Sequence, residues 1–273
     1  MFKGGLFPLL GLNTPFDQDN RFVSSPVFPP PVLAALRLIV AFYALFVVLF
    51  AIIWESVRLH DVDSFFSFFT ELSYIGLLAY FWASGVQTLV YALRGRRSYP
   101  LQQWPQFLQF LHSLLYSTIT TYPIVVTIAF WTLLSSADTF ATTFNSWHNV
   151  SVHAMNSGLA LFEIIFTNVG PLPWIHLLFC EIFLACYLGV AYITRATQGI
   201  YPYDFLNPHL QHAKLAAYIV GIGVGEAIVF TLVRYAIVLR VHLTSRSVRQ
   251  PAEPEAIDDW EEIHRPSSRM SMV

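Results

Sequence analysis

Long apolar runs broken by short polar links set the pattern of this chain. The runs extend from about Val32 to Trp54, Phe65 to Leu93, Phe110 to Leu134, Val150 to Thr167, Trp174 to Thr194 and Leu215 to Leu239. Each is close to or longer than the ~20 residues that carry an α-helix across a bilayer core at 1.5 Å per residue. Backbone groups in lipid must be satisfied within their own segment, which favours helices. The pattern predicts an all-α fold, a polytopic integral membrane bundle of six transmembrane helices spanning residues 32–240. Residues 1–31, with prolines at 26, 29, 30 and 31, read as an irregular leader. A cleavable signal peptide is not expected there, because prolines and charges precede a run too long for that role. Residues 241–273, acidic and rich in Pro and Ser, read as a disordered tail.

The polar positions inside the spans carry the functional information. The fourth span is short, ends at Asn168-Val-Gly-Pro-Leu-Pro and is entered through Trp147-His-Asn-Val-Ser-Val-His153, whose last four residues lie inside it. On a regular helix Asn149, His153, Asn156, Ser157 and Ala160 share one face, while Val152, Met155, Leu159 and Phe162 point elsewhere and can meet lipid. An ionisable residue on such a face looks into the bundle and is by default a functional-site hypothesis. The alternative is a core histidine with a satisfied hydrogen bond. In the second span Ser67, Thr70, Ser73 and Tyr74 share a face, and Thr70 is expected about five residues, or ~7–8 Å, inside the boundary.

Charge gives the orientation. Arg94, Arg96 and Arg97 share one connection, and with the two ends of the chain they hold nearly all the Lys and Arg; the opposite links keep only Arg58, Arg195 and Lys214. Positive residues mark the cytosolic side, so both termini are expected to be cytosolic. The second and fourth spans then start from the same non-cytosolic surface, placing Thr70 and His153 at similar depth. The link from Glu55 to Ser64, with Arg58, His60, Asp61 and Asp63, is acidic overall.

Composition removes other classes. Of 273 residues 55% are hydrophobic and 12% are charged, about half the charge of a soluble domain, and no room is left for a soluble catalytic domain. A net charge of −2 without a basic, aromatic-studded patch argues against nucleic acid. Cys180 and Cys186 fall on different faces of one span and indicate neither a disulfide nor a thiolate metal site. No cofactor is expected. A His-x-x-His pair such as His209 and His212 can bind metal, but His148 and His153, five apart, are poorly spaced for one helical face, and no metal is expected. His112 and His176 start helices on the opposite side. Glu71, Glu163, Glu181 and Glu226 must face the interior or be protonated. Glu163, ~15 Å along the helix from His153, reads as a partner of Arg37 or Arg234. Asn149-Val-Ser151 is a glycosylation sequon at the membrane edge, where occupancy is not expected.

A hydroxyl needs an adjacent base to act as a nucleophile, and imidazole can take its proton and return it to a leaving alcohol. Thr70 and His153 could form such a pair; alternatively Thr70 bonds back to a carbonyl of its own helix, as membrane threonines commonly do.

Three segments, Phe68-Phe-Thr-Glu-Leu72, Asn149-x-x-x-His153 with Glu163 ten residues on, and Gly199-Ile-Tyr-Pro-Tyr-Asp-Phe-Leu206, resemble in order the motifs of the androgen-induced and androgen-dependent membrane proteins. That family comprises multi-spanning hydrolases of fatty acid esters of hydroxy fatty acids, and the chain is similar to its longer, fungal-type branch. Val150 stands where the family has a first histidine, His148 is displaced from it, and one extra residue interrupts the last motif. The resemblance implies that Thr70 is the nucleophile and His153 its base. Asn149, one turn before His153, is a candidate for an orienting or oxyanion role. The expected function is a membrane lipid hydrolase in the endoplasmic reticulum or plasma membrane, with lipid substrate drawn from the bilayer. The alternative is a non-enzymatic transporter or scaffold, although no inverted repeat or pair of broken helices supports transport.

Overall fold

The structure is a computed structural model that describes residues 6–59 and 62–249, and its regular elements among them are all helical. Lys3, His60, Asp61 and the tail beyond Arg249 lie outside the described residues. Besides the short helices α1 (Leu6–Leu9) and α8 (Pro208–Gln211), five helices are long and apolar enough to cross a membrane. They are α2 (Pro30–Trp54), α3 (Phe69–Leu93), α4 (Gln106–Ala129), α7 (Trp174–Gln198) and α9 (Lys214–Arg249). Pro30 and Pro31 open α2, where a missing N–H costs nothing.

The fourth predicted span differs most. It begins at Thr143 rather than near Val150 and runs through α5 (Thr143–Val150), a π-helical turn (Ser151–Met155) and α6 (Asn156–Phe166) with right-handed helical backbone at both joints. Its first two turns are polar, so hydrophobic patterning misses them; the real start signal is Thr142, whose hydroxyl accepts the Asn145 N–H at 3.0 Å. The π turn also rotates the face, so Val152, expected to meet lipid, is fully buried, while Met155 is exposed. In the second span a 3-10 turn (Val62–Ser67) precedes the helix. Thr70 therefore sits in the first turn of α3, not five residues inside it. At the other end of the chain, α9 continues helical to Arg249, through the first nine residues of the expected disordered tail.

Packing is that of a membrane bundle with small residues at its seams. Ala34, Ala41, Ala44 and Ala51 form a fully buried stripe on α2, which lies along α3; Gly85 of α3 admits Leu38 so closely that an added Cβ would sit 2.9 Å from its Cδ2. Ile39, Phe42, Phe46, Leu49 and Ile53 of α2 point outward. The central α4 touches α3, α6, α7 and α9. Asn156 and Ser157, expected beside His153, tie α6 to α4 instead: the Ser157 hydroxyl donates to the Pro123 carbonyl at 2.9 Å and Thr127 donates to Asn156 Oδ1 at 3.1 Å. Cys180 is buried and Cys186 exposed, and both are free.

A buried ion pair locks the bundle. Arg37 and Glu163, both fully buried, join through two parallel bonds, Nε to Oε1 at 2.8 Å and a terminal nitrogen to Oε2 at 2.7 Å. The remaining guanidinium nitrogen donates to Thr88 Oγ1 at 2.7 Å and the Phe22 carbonyl at 2.8 Å, and Tyr80 donates to Glu163 at 3.1 Å. Arg234, the other candidate partner, donates to the Leu172 carbonyl and lies over the Trp174 ring.

The described part of the leader is mostly non-helical yet packed. Leu12, Phe16 and Val23 are buried with Tyr99, Leu101 and Phe110. The Asp17 carboxylate accepts bonds from the Tyr99 phenol and from the N–H groups of Arg21 (2.8 Å) and Phe22 (3.0 Å). Burial still pushes its pKa above the usual carboxylate range. The leader, the residue 94–105 connection and Pro173 meet at one end. The 62–67 turn, the end of α7 and the 199–207 loop meet at the other, as the alternation of spans requires.

Candidate active site

Thr70 owes its setting to the break before α3. Phe68 is extended (φ −95°, ψ 132°) and offers no side-chain cap, so the first N–H groups of the helix need outside partners. Two tyrosines from distant elements close over this end. Tyr203 Oη lies 3.4 Å from the Thr70 amide nitrogen and 3.5 Å from its hydroxyl, and Tyr187 donates to the Ser67 carbonyl at 2.9 Å. Gly199 makes this possible. It ends α7 in the left-handed region (φ 77°), with its N–H on the Arg195 carbonyl, turning the chain so that Tyr203 comes back over α3. The neighbouring Phe68 and Phe205 rings enclose Tyr203, and burial raises its pKa, so it is a neutral hydroxyl that can donate.

The buried Thr70 hydroxyl does not return to a carbonyl of its own helix. Thr88, Thr120, Thr121, Thr167 and Thr231 all do so, each at 3.1 Å or less. Thr70 instead lines an apolar cavity of about 220 Å³ between α3, α4, α7 and α9. Tyr187 and Tyr203 stand beside it, Val126, Phe130 and Leu188 form walls, and Glu181 lies six residues, or ~9 Å by helical rise, deeper along α7 than Tyr187.

His153 sits in the π turn, which packs directly against α3. Its ring is stacked face to face on Phe130 (3.6 Å between centroids, 5° between planes). Phe130 lines the cavity; His153 is behind the lining. Its carbonyl, left over by the irregular turn, accepts the Trp131 indole N–H at 3.1 Å, but its buried Nδ1 has no partner. Thus the satisfied-core reading does not describe this histidine. Among the described residues no hydrogen bond joins Thr70 to His153. Asn149 donates to the Thr139 carbonyl at 3.0 Å, tying α5 to the preceding loop, and among the described residues no hydrogen bond joins it to Thr70 or His153.

Glu71 faces the same helix, its Oε1 3.6 Å from His148 Nε2. His209 and His212 are exposed, and His112 and His176 lie in the other half of the bundle, with His176 on Ser117 at 2.7 Å. Among the described residues no three His, Cys, Asp or Glu side chains are grouped to hold a metal. Tyr187 and Tyr203 were not singled out from sequence; the signal for Tyr203 was its place in the Tyr201-Pro-Tyr-Asp-Phe loop, whereas Tyr187 looked like any aromatic of an apolar span. No protein-family model, curated protein or solved structure matches the chain.

Proposed function

We propose that this protein is an integral membrane hydrolase that cleaves fatty acid esters, those of hydroxy fatty acids included, with Thr70 as nucleophile and His153 as base. The observation that carries this reading is the Thr70 hydroxyl, which lines an apolar cavity instead of bonding to its own helix, next to a turn whose buried histidine has an unpartnered ring nitrogen. The cavity suits an acyl chain entering from the bilayer. Phe130 both lines it and carries the His153 ring, so the imidazole stands one ring behind the cavity wall, and catalysis by this pair requires Phe130 to move aside.

In the acylation step Thr70 Oγ bonds the ester carbonyl carbon as its proton moves to His153. The alkoxide leaves with that proton as the C–O bond breaks. Water then attacks the acyl-threonine, giving its proton to His153, which returns it to Thr70 as the acid departs. Tyr203, a neutral donor over Thr70, is the group placed to stabilise the oxyanion. Tyr203→Phe should lower kcat by ~10²-fold with little change in KM, measured per amount of folded, extracted protein; equal kcat in the two proteins would remove Tyr203 from this role.

We place both termini in the cytosol and the site near the opposite face of an endoplasmic reticulum or plasma membrane, from the arginine bias. Tags at residues 1 and 273 should be cut by protease as soon as the plasma membrane alone is permeabilised. Protection of either tag would reverse the orientation.

A second reading, a lipid-binding scaffold or carrier, is favoured by one observation: Thr70 contacts Tyr203 and not His153. A carrier would retain a bound lipid in Thr70→Val and in wild type alike, and neither would hydrolyse it.

A further inference from the structure

Around His153 the structure leaves several buried polar atoms unpartnered: Nδ1 of His153, Nε2 of His148 and Oη of Tyr74. In a regular α-helix residues five apart point about 140° away from each other. A π turn instead bonds residues five apart, so the turn at Ser151–Met155, which packs on α3, swings His148 and His153 towards a common side, and His148 meets α3 there at Glu71. From α3, Glu71, only 7% exposed, places Oε1 3.6 Å from His148 Nε2, just beyond hydrogen-bond length. A carboxylate, an imidazole and the proposed base thus lie in one buried group behind the nucleophile.

We propose that Glu71 and His148 are positioning residues for His153, the carboxylate stabilising, through His148, the imidazolium that forms when His153 takes the Thr70 proton. This rests on the hydrolase reading above. His148 stays neutral with its Nε2–H towards Glu71, and no proton leaves the group. The one taken from Thr70 goes to the departing alkoxide, and the one taken from water goes back to Thr70. A base held by a third group is the general design of such nucleophile pairs; here two side chains fill that place because the π turn puts the second imidazole on the same side. The other titratable groups turned towards this cluster are Tyr43 of α2, Glu55 at its end, Tyr74 of α3 and Tyr203; α4 contributes the rings of Phe130 and Trp131.

The test combines a titration that needs no activity with a kinetic comparison. Protein labelled with nitrogen-15 at histidine is titrated by NMR in detergent as wild type, Glu71→Gln and Glu71→Asp. A nearby carboxylate favours the imidazolium, so His153 should titrate about 1 pH unit lower in Glu71→Gln. The shift should be smaller, but of the same sign, in Glu71→Asp, which keeps the charge and withdraws it by one methylene; this variant serves if Glu71→Gln does not fold. On a fatty acid ester, Glu71→Gln should lose ~10²-fold in kcat at unchanged KM. A purely structural Glu71 would cost folded protein and leave the His153 titration in place. An unmoved titration in both folded variants overturns the proposal whatever the activity. Activity that survives Thr70→Val overturns the hydrolase reading instead, and the titration still decides whether Glu71 and His153 are coupled.

Discussion

Thr70→Val should abolish ester hydrolysis, by ~10³-fold or more, while the protein extracts and unfolds like wild type. Valine has the shape of threonine and the same restricted χ1, and it removes a hydroxyl whose one contact, with Tyr203, is long at 3.5 Å, so folding loses little. Thr70→Ser keeps the oxygen and should retain activity within ~10-fold, the loss coming from a looser rotamer. His153→Ala should match Thr70→Val in activity, and the double variant should be no worse than either, because a nucleophile and its base act as a unit. The measurement is hydrolysis of a branched fatty acid ester per mole of folded protein. Full activity in folded Thr70→Val ends the threonine mechanism. Tolerance of both Thr70 variants with loss of folded protein in His153→Ala marks the pair as structural.

The largest effect on stability is expected at Arg37. Replacing it by Met leaves the Glu163 carboxylate buried without its cation and should cost ~3–5 kcal/mol, a fall of on the order of 10 °C in Tm for a chain of this size. Glu163→Gln should cost less, since the amide still accepts a bond from Tyr80 or Arg37. In Arg37→Met/Glu163→Leu both charges are gone and apolar groups of similar volume fill the space, so most of the loss should return. Thermal unfolding of wild type, Arg37→Met, Glu163→Leu and the double variant in one detergent closes this cycle. A double variant as unstable as Arg37→Met alone would show that the pair acts through its Thr88, Phe22 and Tyr80 contacts rather than through its charges.

The fold class was legible because lipid permits few structures: long apolar runs in this chain could be little else than helices, and the pairing of Glu163 with an arginine could be read from the cost of burying charge. Boundaries were less so. Phe65, Phe66 and Phe68 are apolar enough to extend a span, yet the backbone there forms a 3-10 turn and then an extended residue, moving Thr70 into the first helical turn. The α5 start was hidden for the opposite reason, polar residues in a helical conformation. Of the proposed site, His153 stood out as an ionisable residue in apolar surroundings, whereas Thr70 was marked only by the family resemblance. The burial of Val152 could not be read, because it depends on one π turn that leaves no mark in hydrophobic periodicity. For Asn149, sequence proximity to His153 said nothing of the Thr139 carbonyl that takes its amide.

The Arg37–Glu163 pair has a consequence for biogenesis. Its members are 126 residues apart, so the ribosome delivers α2, with its arginine, long before the carboxylate exists. During synthesis that guanidinium lacks its carboxylate, and a lone arginine inside an inserting helix, here in the third turn of α2, is costly. The Thr88 hydroxyl and the Phe22 carbonyl are both available earlier, the first as soon as α3 emerges, the second already on the same stretch of chain. They can shelter the charge provisionally at the membrane boundary until α6 arrives. The Phe22 carbonyl thus gives the leader a second use besides packing: it offers the arginine an acceptor while the chain waits for the residue that neutralises it.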